Sequence, residues 1–219
     1  MKFKAILFDC DGVLVDSEPM TNQVLRDMLD ERGWRMTLAE CMTSFVGKTV
    51  RQERAEIERR TGQPLTDDWL QSFYQRRNEV LMADVQIIPS AHAAVQAAHS
   101  HAQGRIACAS GADRFKVEMV LTKVGLMGFF EDRVFSGHEM PRSKPAPDVY
   151  LAAARHLAVP GSRCLVIEDT TVGVTAGVAA GATVWAYCPR PEAGAALLQA
   201  GATQLFSQMA DFPALLATS

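Results

Sequence analysis

The sequence lacks three features that would assign a chain to a special class. Its five cysteines include no Cys-x-x-Cys pair, basic residues are not in excess, and its one long uncharged stretch contains no leucine, isoleucine or phenylalanine. Because paired cysteine spacing is missing, neither a zinc site nor a disulfide framework is indicated, and we expect buried, reduced thiols in a cytoplasmic protein. A net charge of −3 gives no electrostatic reason to expect nucleic acid or an anionic membrane as a partner.

The uncharged stretch covers the nineteen residues from Thr170 to Cys188, which is long enough to span a bilayer. It is built mainly of threonine, glycine, alanine and valine, a composition that inserts poorly into a membrane. We therefore interpret it as a short helix over 172–180 and a buried strand over 182–187, with Gly181 ending the helix. No membrane partner is expected.

The composition that remains is that of an ordinary globular protein, with 48% hydrophobic and 21% charged residues in a chain of 219. A short apolar run opens the chain, a helical pattern follows over residues 17–86, and helices then alternate with strands to the end. Such alternation is typical of a parallel sheet covered by helices on both faces. We expect an α/β fold, in which a Rossmann-like parallel-sheet core of residues 1–16 and 87–219 carries an inserted all-α cap domain of residues 17–86.

Local signals mark helices within the insertion. Thr37 with Glu40, and Thr49 with Gln52, have the spacing of a capping box, so helices should begin at both positions. A longer apolar periodicity predicts a helix over 67–82.

The core elements are predicted from the same kinds of signal. Strands are expected over 5–8, 105–109, 133–136, 163–167 and 182–187, and helices over 90–102, 113–124, 172–180 and directly after Pro147. Helical turns are expected toward the C-terminus.

Two carboxylates follow the first predicted strand. The apolar run Ala-Ile-Leu-Phe ends at Asp9, Asp11 comes two residues later, and Gly12 supplies freedom for an exit turn. Residues i and i+2 of an extended segment point the same way, so the two carboxylates can converge at the edge where open α/β sheets bind ligands. Converging carboxylates repel each other unless a cation or a proton lies between them. An acidic surface turn is the alternative interpretation.

Other polar residues lie beyond the ends of later predicted strands or before a helix. Ser110 follows one strand, Lys144 precedes a helix, and Glu168 with Asp169 ends a fully apolar strand. Ser110 alone could be a helix cap and Lys144 alone a solvated lysine. A buried Glu-Asp pair needs partners, which favours a shared site at one sheet edge.

These segments resemble a known family. The stretches DCDGVLVDSEP from Asp9, ASG with Ser110, KPAPD with Lys144 and IEDTTVG with Glu168 and Asp169 are similar to motifs I to IV of the haloacid dehalogenase-like (HAD) superfamily. Their order and spacing resemble the subgroup with a helical cap between motifs I and II, which contains β-phosphoglucomutases and sugar-phosphate phosphatases. The resemblance covers essentially the whole chain and implies phosphoryl transfer through an aspartyl-phosphate.

The resemblance also implies a role for each motif residue. Asp9 would be the nucleophile and Asp11 the general acid and base, while Ser110, the Gly111 amide and Lys144 would bind the phosphoryl group. Mg²⁺ would be held by Asp9, the Asp11 backbone carbonyl and Asp169, with Glu168 at the ion or just behind it. The carboxylate at position 11 favours phosphate chemistry over dehalogenation, since a halide leaves without a proton.

The insertion offers fewer indications. Gly47, Lys48 and Arg51 match a cap loop that faces the substrate in capped phosphatases, and a plain capped helix explains them equally well. The Gly47-Lys-Thr segment is not a Walker A motif, because the glycine required at position 42 is Met42. β-Phosphoglucomutases carry a histidine and an arginine where the spacing gives Thr21 and Val50 here.

We therefore expect a Mg²⁺-dependent phosphatase of a small phosphorylated metabolite, a sugar or sugar-acid phosphate, acting as a monomer or weak homodimer. A phosphosugar mutase is one alternative, against which Thr21 and Val50 argue. A non-catalytic binding or regulatory protein on the same fold is the other, against which the four intact motifs argue.

Overall fold

The computed structural model describes residues 2–219, and its centre is a six-stranded parallel sheet in the order β5-β4-β1-β6-β7-β8. The strands are β1 (Ala5–Phe8), β4 (Ile106–Ser110), β5 (Val134–Ser136), β6 (Cys164–Glu168), β7 (Thr183–Tyr187) and β8 (Gln204–Phe206). Two further strands, β2 (Val15–Asp16) and β3 (Gln86–Ile87), form a separate antiparallel pair. The expected α/β class with a parallel sheet is confirmed.

Helices cover both faces of this sheet and fill the insertion. Those of the insertion are α1 (Glu18–Asp30), α2 (Leu38–Phe45), α3 (Arg54–Thr61) and α4 (Asp67–Asp84). Those around the sheet are α5 (Ala91–His101), α6 (Arg114–Lys123), α7 (Met127–Phe130), α8 (Asp148–His156), α9 (Thr171–Ala179), α10 (Gly194–Gln199) and α11 (Phe212–Ala217).

Strand β1 lies in the middle of the molecule because it is apolar on both sides. All four of its residues are buried, and it pairs with β4 through Ile6 and with β6 through Ala5. Ile6 and Phe8 pack into the hydrophobic core on one face of the sheet, and Ala5 and Leu7 pack into the core on the other. Because β1 packs against a core on each face, its position in the sheet is fixed, and so is the point at which the following chain leaves the sheet.

The chain enters and leaves the helical insertion through one short pair of antiparallel strands. Val15 and Asp16 of β2 pair with Ile87 and Gln86 of β3, so the ends of the helical insertion are held side by side. Helices α1 to α4 enclose a hydrophobic cluster of their own. The insertion therefore has its own core, on top of the carboxyl edge of the sheet.

Several local predictions differ from the structure. The reciprocal hydrogen bonds of Thr49 and Gln52 are made, but residues 50–53 form a turn and α3 begins only at Arg54, so the predicted helix start is wrong. The capping box at Thr37 and Glu40 is confirmed. Strand β8 was not expected near the C-terminus, because three residues give no periodicity to detect.

The uncharged stretch folds as expected. It forms helix α9 and strand β7, with Gly181 between them at φ +78°. Within residues 2–219 no helix is both long and apolar enough to cross a membrane. All five cysteines are buried free thiols, which confirms that part of the prediction.

Candidate active site

Asp9 leaves strand β1 into a crowded pocket at the carboxyl edge of the sheet. Its amide donates to the Ile167 carbonyl at 3.0 Å, which continues the pairing with β6, and its side chain is 7% exposed. The following turn requires Gly12, which has φ +76° and whose Cβ, if present, would lie 2.1 Å from Asp169 Oδ2. The first and last motifs are thus in direct contact.

Lys144 is the main partner of the Asp9 carboxylate. Its buried Nζ lies 2.6 Å from Asp9 Oδ1, 2.7 Å from Glu168 Oε1, 2.9 Å from the Ala109 carbonyl and 2.9 Å from the Tyr150 hydroxyl. Burial would lower the pKa of this amine, but the Asp9 and Glu168 carboxylates raise it well above its usual value. Lys144 is therefore a fixed cation between two carboxylates.

Three carboxylates gather beside this lysine. One oxygen each from Asp9, Glu168 and Asp169 lies within 4.8 Å of the other two. Burial, reinforced by the neighbouring carboxylates, raises the pKa of Asp169 well above its usual value and that of Asp9 to about 7. Asp169 Oδ1 is buried and has no hydrogen-bond partner among residues 2–219. This group of hard oxygen donors with one unsatisfied atom could hold a divalent cation such as Mg²⁺.

Glu168 is the best anchored of the three. Its Oε1 accepts from Lys144 and from the Tyr150 hydroxyl at 2.8 Å, and its Oε2 accepts from the Asp169 amide at 3.0 Å and from the Thr170 hydroxyl at 3.2 Å. Since every bond fixes the carboxylate, Glu168 is held in a single orientation.

Asp11 faces the opposite side of the pocket. Its Oδ1 accepts hydrogen bonds from the Ser17 hydroxyl and the Lys116 amine, and its Oδ2 lies 3.5 Å from the Ser110 hydroxyl. Burial alone would raise the pKa of this carboxyl, but the charge and hydrogen bond of Lys116, together with the Ser17 hydroxyl and the Arg77 charge, lower it. Asp9 and Asp11 are therefore tuned in opposite directions, although they are two residues apart.

Ser110 and Gly111 lie at the end of β4. The Ser110 hydroxyl is buried and accepts from the Ala112 amide at 3.0 Å, which shapes the turn into helix α6. Asp113 caps that helix by accepting from the Lys116 amide at 3.0 Å. Amides at a helix start beside a hydroxyl can bind an anionic oxygen.

A cavity of about 120 Å³ separates these residues from the helical insertion. Gly47 and Lys48 line it, as the cap-loop resemblance suggested. Arg51 lies at the exposed surface instead, in an ion pair with Asp67 at 3.1 Å. Thr21 and Val50 also line the cavity, and the Thr21 hydroxyl is buried with no hydrogen-bond partner in the described part of the chain.

Sequence reasoning missed several residues of this site. Lys116, Arg77, Glu18 and His138 line the cavity, and Tyr150 lies behind Lys144. Burial raises the pKa of Glu18 to about 7 and lowers that of His138. From sequence alone, a charged residue in the middle of a predicted helix, such as Lys116 or Arg77, is expected to be exposed to solvent. The available signal for Lys116 was its i,i+4 spacing to Val120, which places both on one helix face.

Comparisons with known proteins agree with the motifs. A family model described as haloacid dehalogenase-like hydrolase matches residues 3–181. The chain is 26% identical over 191 residues to the 6-phosphogluconate phosphatase of Escherichia coli (strain K12), a match that covers 87% of this chain and 85% of that protein.

Two solved structures resemble the whole chain. A conserved haloacid dehalogenase-like protein of Agrobacterium tumefaciens is 32% identical with a TM-score of 0.82, and the match covers 99% of this chain and 98% of the other. A HAD-family hydrolase of Deinococcus radiodurans, solved with bound phosphate and sodium, is 33% identical with a TM-score of 0.78, with 99% and 96% covered.

Proposed function

The chain belongs to the haloacid dehalogenase-like hydrolase family, and on that premise we propose that it is a Mg²⁺-dependent phosphatase of a small sugar or sugar-acid phosphate. The chain is a phosphoric monoester hydrolase. The observation that carries the proposal is the Asp9 carboxylate, held by Lys144 beside Glu168 and Asp169 in the wall of the cavity.

Asp9 is proposed as the nucleophile. Its carboxylate is the motif I group that faces both the acidic cluster and the cavity, and the Lys144 ammonium orients it through a 2.6 Å contact. Attack by a carboxylate oxygen on phosphorus forms an aspartyl-phosphate and breaks the ester bond. Lys144, the Ser110 hydroxyl and the Gly111 amide offset the charge on the phosphoryl oxygens.

Asp11 is proposed to move the proton. As a carboxylic acid it gives a proton to the departing ester oxygen, and as a carboxylate it takes one from the water that attacks the aspartyl-phosphate. Its contacts with Ser17 and Ser110 support this role because they fix the carboxyl group across the pocket from Lys144. Since Lys116 lowers the pKa of Asp11, the acid form requires that Lys116 first gives up its contact with this carboxylate.

Mg²⁺ would be held by Asp9, Asp169, the backbone carbonyl of Asp11 and Glu168. The unpartnered Asp169 oxygen and the raised pKa values of Asp9 and Asp169 fit such a cation, because each would be relieved by it. When bound, the ion would neutralise charge on the phosphoryl group and the carboxylates.

Residues 17–86 are proposed to act as a cap domain over a core of residues 1–16 and 87–219. Helices α1 and α4 and the loop after α2 form the roof of the cavity, and a closed roof excludes bulk water from the reacting atoms. The pairing of β2 with β3 supports this division, because it makes one short, narrow connection between the two parts.

Water is proposed as the final phosphoryl acceptor. Thr21 and Val50 occupy the two positions at which mutases of this family carry a histidine and an arginine, and both line the cavity. The unpartnered Thr21 hydroxyl offers a hydrogen bond to a substrate hydroxyl. The relative named 6-phosphogluconate phosphatase and the bound phosphate of the Deinococcus relative support phosphate ester hydrolysis on a sugar derivative.

The test is phosphate release from a panel of sugar and sugar-acid phosphates, with Mg²⁺ and with a chelator. We expect release that depends on Mg²⁺ and falls by at least roughly 10³-fold in Asp9→Asn, because an amide is a poor nucleophile. Asp132→Asn is the matched control, because it removes an exposed carboxylate outside the helical insertion, and it should keep wild-type activity. Phosphate release that survives Asp9→Asn, or interconversion of sugar phosphates without release, would overturn the proposal.

A further inference from the structure

Two buried cations line the cavity without a role in the chemistry described above. Lys116 on α6 is 3% exposed and Arg77 on α4 is 5% exposed, and both face the same cavity as Asp9. Charges are rarely buried to this extent unless a counter-charge requires them, because desolvation of a cation is unfavourable. Lys144, another buried cation of the cavity wall, has two carboxylate partners, Asp9 and Glu168, whereas within residues 2–219 Lys116 forms an ion pair with Asp11 only and Arg77 with Asp113 only.

Each of the two cations is bound by a carboxylate beside the cavity, Arg77 by Asp113 and the Lys116 amine by Asp11. Asp113 Oδ2 accepts from Arg77 Nη2 at 2.8 Å, and Asp113 Oδ1 accepts from the Lys116 amide at 3.0 Å. Arg77 also donates to Asn78 Oδ1 at 2.8 Å, and the Lys116 amine contacts Asp11. Helix α4 and helix α6 thus each bring one positive charge to the wall of the cavity.

Their position relative to the reacting atoms follows from the contacts of Asp11. Asp9 and Lys144 lie on one side of the cavity, where the phosphoryl group would react. Asp11 lies on the other side, where the ester oxygen would leave, and Lys116 binds the Asp11 oxygen that does not face Ser110. The organic part of a substrate therefore extends from the ester oxygen toward Lys116.

We propose that Lys116 and Arg77 form a subsite for a second anionic group of the substrate, which makes a phosphorylated acid the preferred substrate class. This inference rests on the proposed phosphatase function. An anion at this position accepts from the Lys116 amine and the Arg77 guanidinium and lowers the repulsion between them. Since Arg77 keeps its ion pair with Asp113, a carboxylate with one negative charge matches the two cations better than a second phosphate with a charge of about −1.5 to −2 does. Lys116 then exchanges its contact with Asp11 for one with the substrate.

The test compares substrates that differ by one charge. 6-Phosphogluconate and sorbitol 6-phosphate differ only in a carboxylate against a hydroxymethyl group, as do 3-phosphoglycerate and glycerol 3-phosphate. Fructose 1,6-bisphosphate against fructose 6-phosphate tests a second phosphate. For the wild type we expect kcat/KM to be at least tenfold higher for the acid in one carboxylate pair, and the Lys116→Met variant to reduce that ratio at least tenfold.

Two further variants separate the subsite from a structural role. Lys116→Arg keeps the charge and should retain most of the acid preference, whereas Arg114→Gln removes a charge two residues away, outside the cavity wall, and should leave the ratio unchanged. The inference would be overturned by a wild-type enzyme that prefers the substrate without the carboxylate, or by a Lys116→Met variant that hydrolyses both substrates of a pair more slowly by the same factor. A tenfold preference for the bisphosphate alone would overturn the carboxylate assignment. If the phosphate esters without a carboxylate are hydrolysed by the wild type and not by Asp9→Asn, the proposed phosphatase function stands in each case.

Discussion

The site depends most on one lysine with four oxygen neighbours. Lys144 has three protons to donate and lies within 2.9 Å of the oxygens of Asp9, Ala109, Tyr150 and Glu168. The Tyr150 hydroxyl in turn donates to Glu168 at 2.8 Å. Because the network is buried, each bond is strengthened and each lost bond leaves an unsatisfied polar atom. The orientation of the proposed nucleophile Asp9 therefore depends, through Lys144, on Tyr150, which does not line the cavity.

Replacing Tyr150 with phenylalanine tests this dependence. We expect the free energy of unfolding to fall by about 1–2 kcal/mol, since a buried hydroxyl that both donates and accepts is removed. We also expect kcat to fall by about tenfold with a smaller change in KM, because Lys144 and Glu168 lose a shared anchor but the cavity wall is unchanged. Urea denaturation and steady-state kinetics measure the two quantities.

Tyr187→Phe is the matched control for that experiment. It removes a phenol hydroxyl at the end of β7, outside the cavity wall, and should leave kcat unchanged. A Tyr150→Phe enzyme with wild-type kcat and stability would show that Lys144 is oriented by its two carboxylate partners and the Ala109 carbonyl without Tyr150.

Residue-scale prediction from the sequence worked where a motif ended a strand. Asp9, Ser110, Glu168 and the turn at Gly12 follow buried apolar runs, so the edge of the sheet could be located from hydrophobicity alone. Lys116 could not be found in this way, because it lies in the middle of a helix and its burial depends on the packing of α4 against α6, which no local pattern encodes.

At the scale of elements, helix α9 is fitted closely against the end of β6. A Cβ on Gly173, in the first turn of α9, would lie 1.7 Å from Glu168 Oε1 and 1.9 Å from Glu168 Cδ. The helix can approach the acidic cluster only because this side chain is missing, and Thr170 at the helix start both caps α9 and contacts Glu168. The glycine at position 173 therefore has a direct consequence for the site.

Gly173→Ala is expected to displace Glu168 and disrupt the network around Lys144. We predict a loss of unfolding free energy of about 3 kcal/mol or more, as for overpacking combined with broken buried hydrogen bonds, together with a large fall in phosphatase activity. Denaturant unfolding followed by circular dichroism gives the stability, and phosphate release gives the activity.

Gly128→Ala serves as the comparison, because nothing lies within 4 Å of a Cβ at this position in helix α7. Alanine there should change stability by about 1 kcal/mol or less, in the stabilising direction. A Gly173→Ala protein as stable and as active as the Gly128→Ala protein would contradict the close fit of α9 to Glu168.

Capping signals predicted elements unevenly. Thr37 and Glu40 begin helix α2 as their spacing indicates. Thr49 and Gln52 make the same reciprocal bonds, but residues 50–53 form a turn and α3 begins only at Arg54. A capping box fixes the local hydrogen bonds, whereas the length of regular helix that follows depends on packing against the rest of the protein.

At the scale of the whole molecule, chemistry and enclosure come from different parts of the chain. The sheet edge supplies the carboxylates, Lys144 and Ser110, and the helical insertion supplies the opposite wall of the cavity. The alternation of strands and helices predicted the sheet and its covering, and the motifs predicted which edge carries the site. The short strands β2, β3 and β8 could not be predicted, since two or three residues form a strand only when a partner strand is already in place.

The central claim is that the phosphoryl group passes through Asp9, and trapping that intermediate tests it most directly. Enzyme mixed with Mg²⁺ and its best substrate is quenched in acid within milliseconds, and the peptide that contains residue 9 is analysed by mass spectrometry. We predict one phosphoryl group on Asp9 in the wild type and none in Asp9→Asn. Rapid turnover in which no peptide is phosphorylated, or in which the group is found on another residue, would contradict the account.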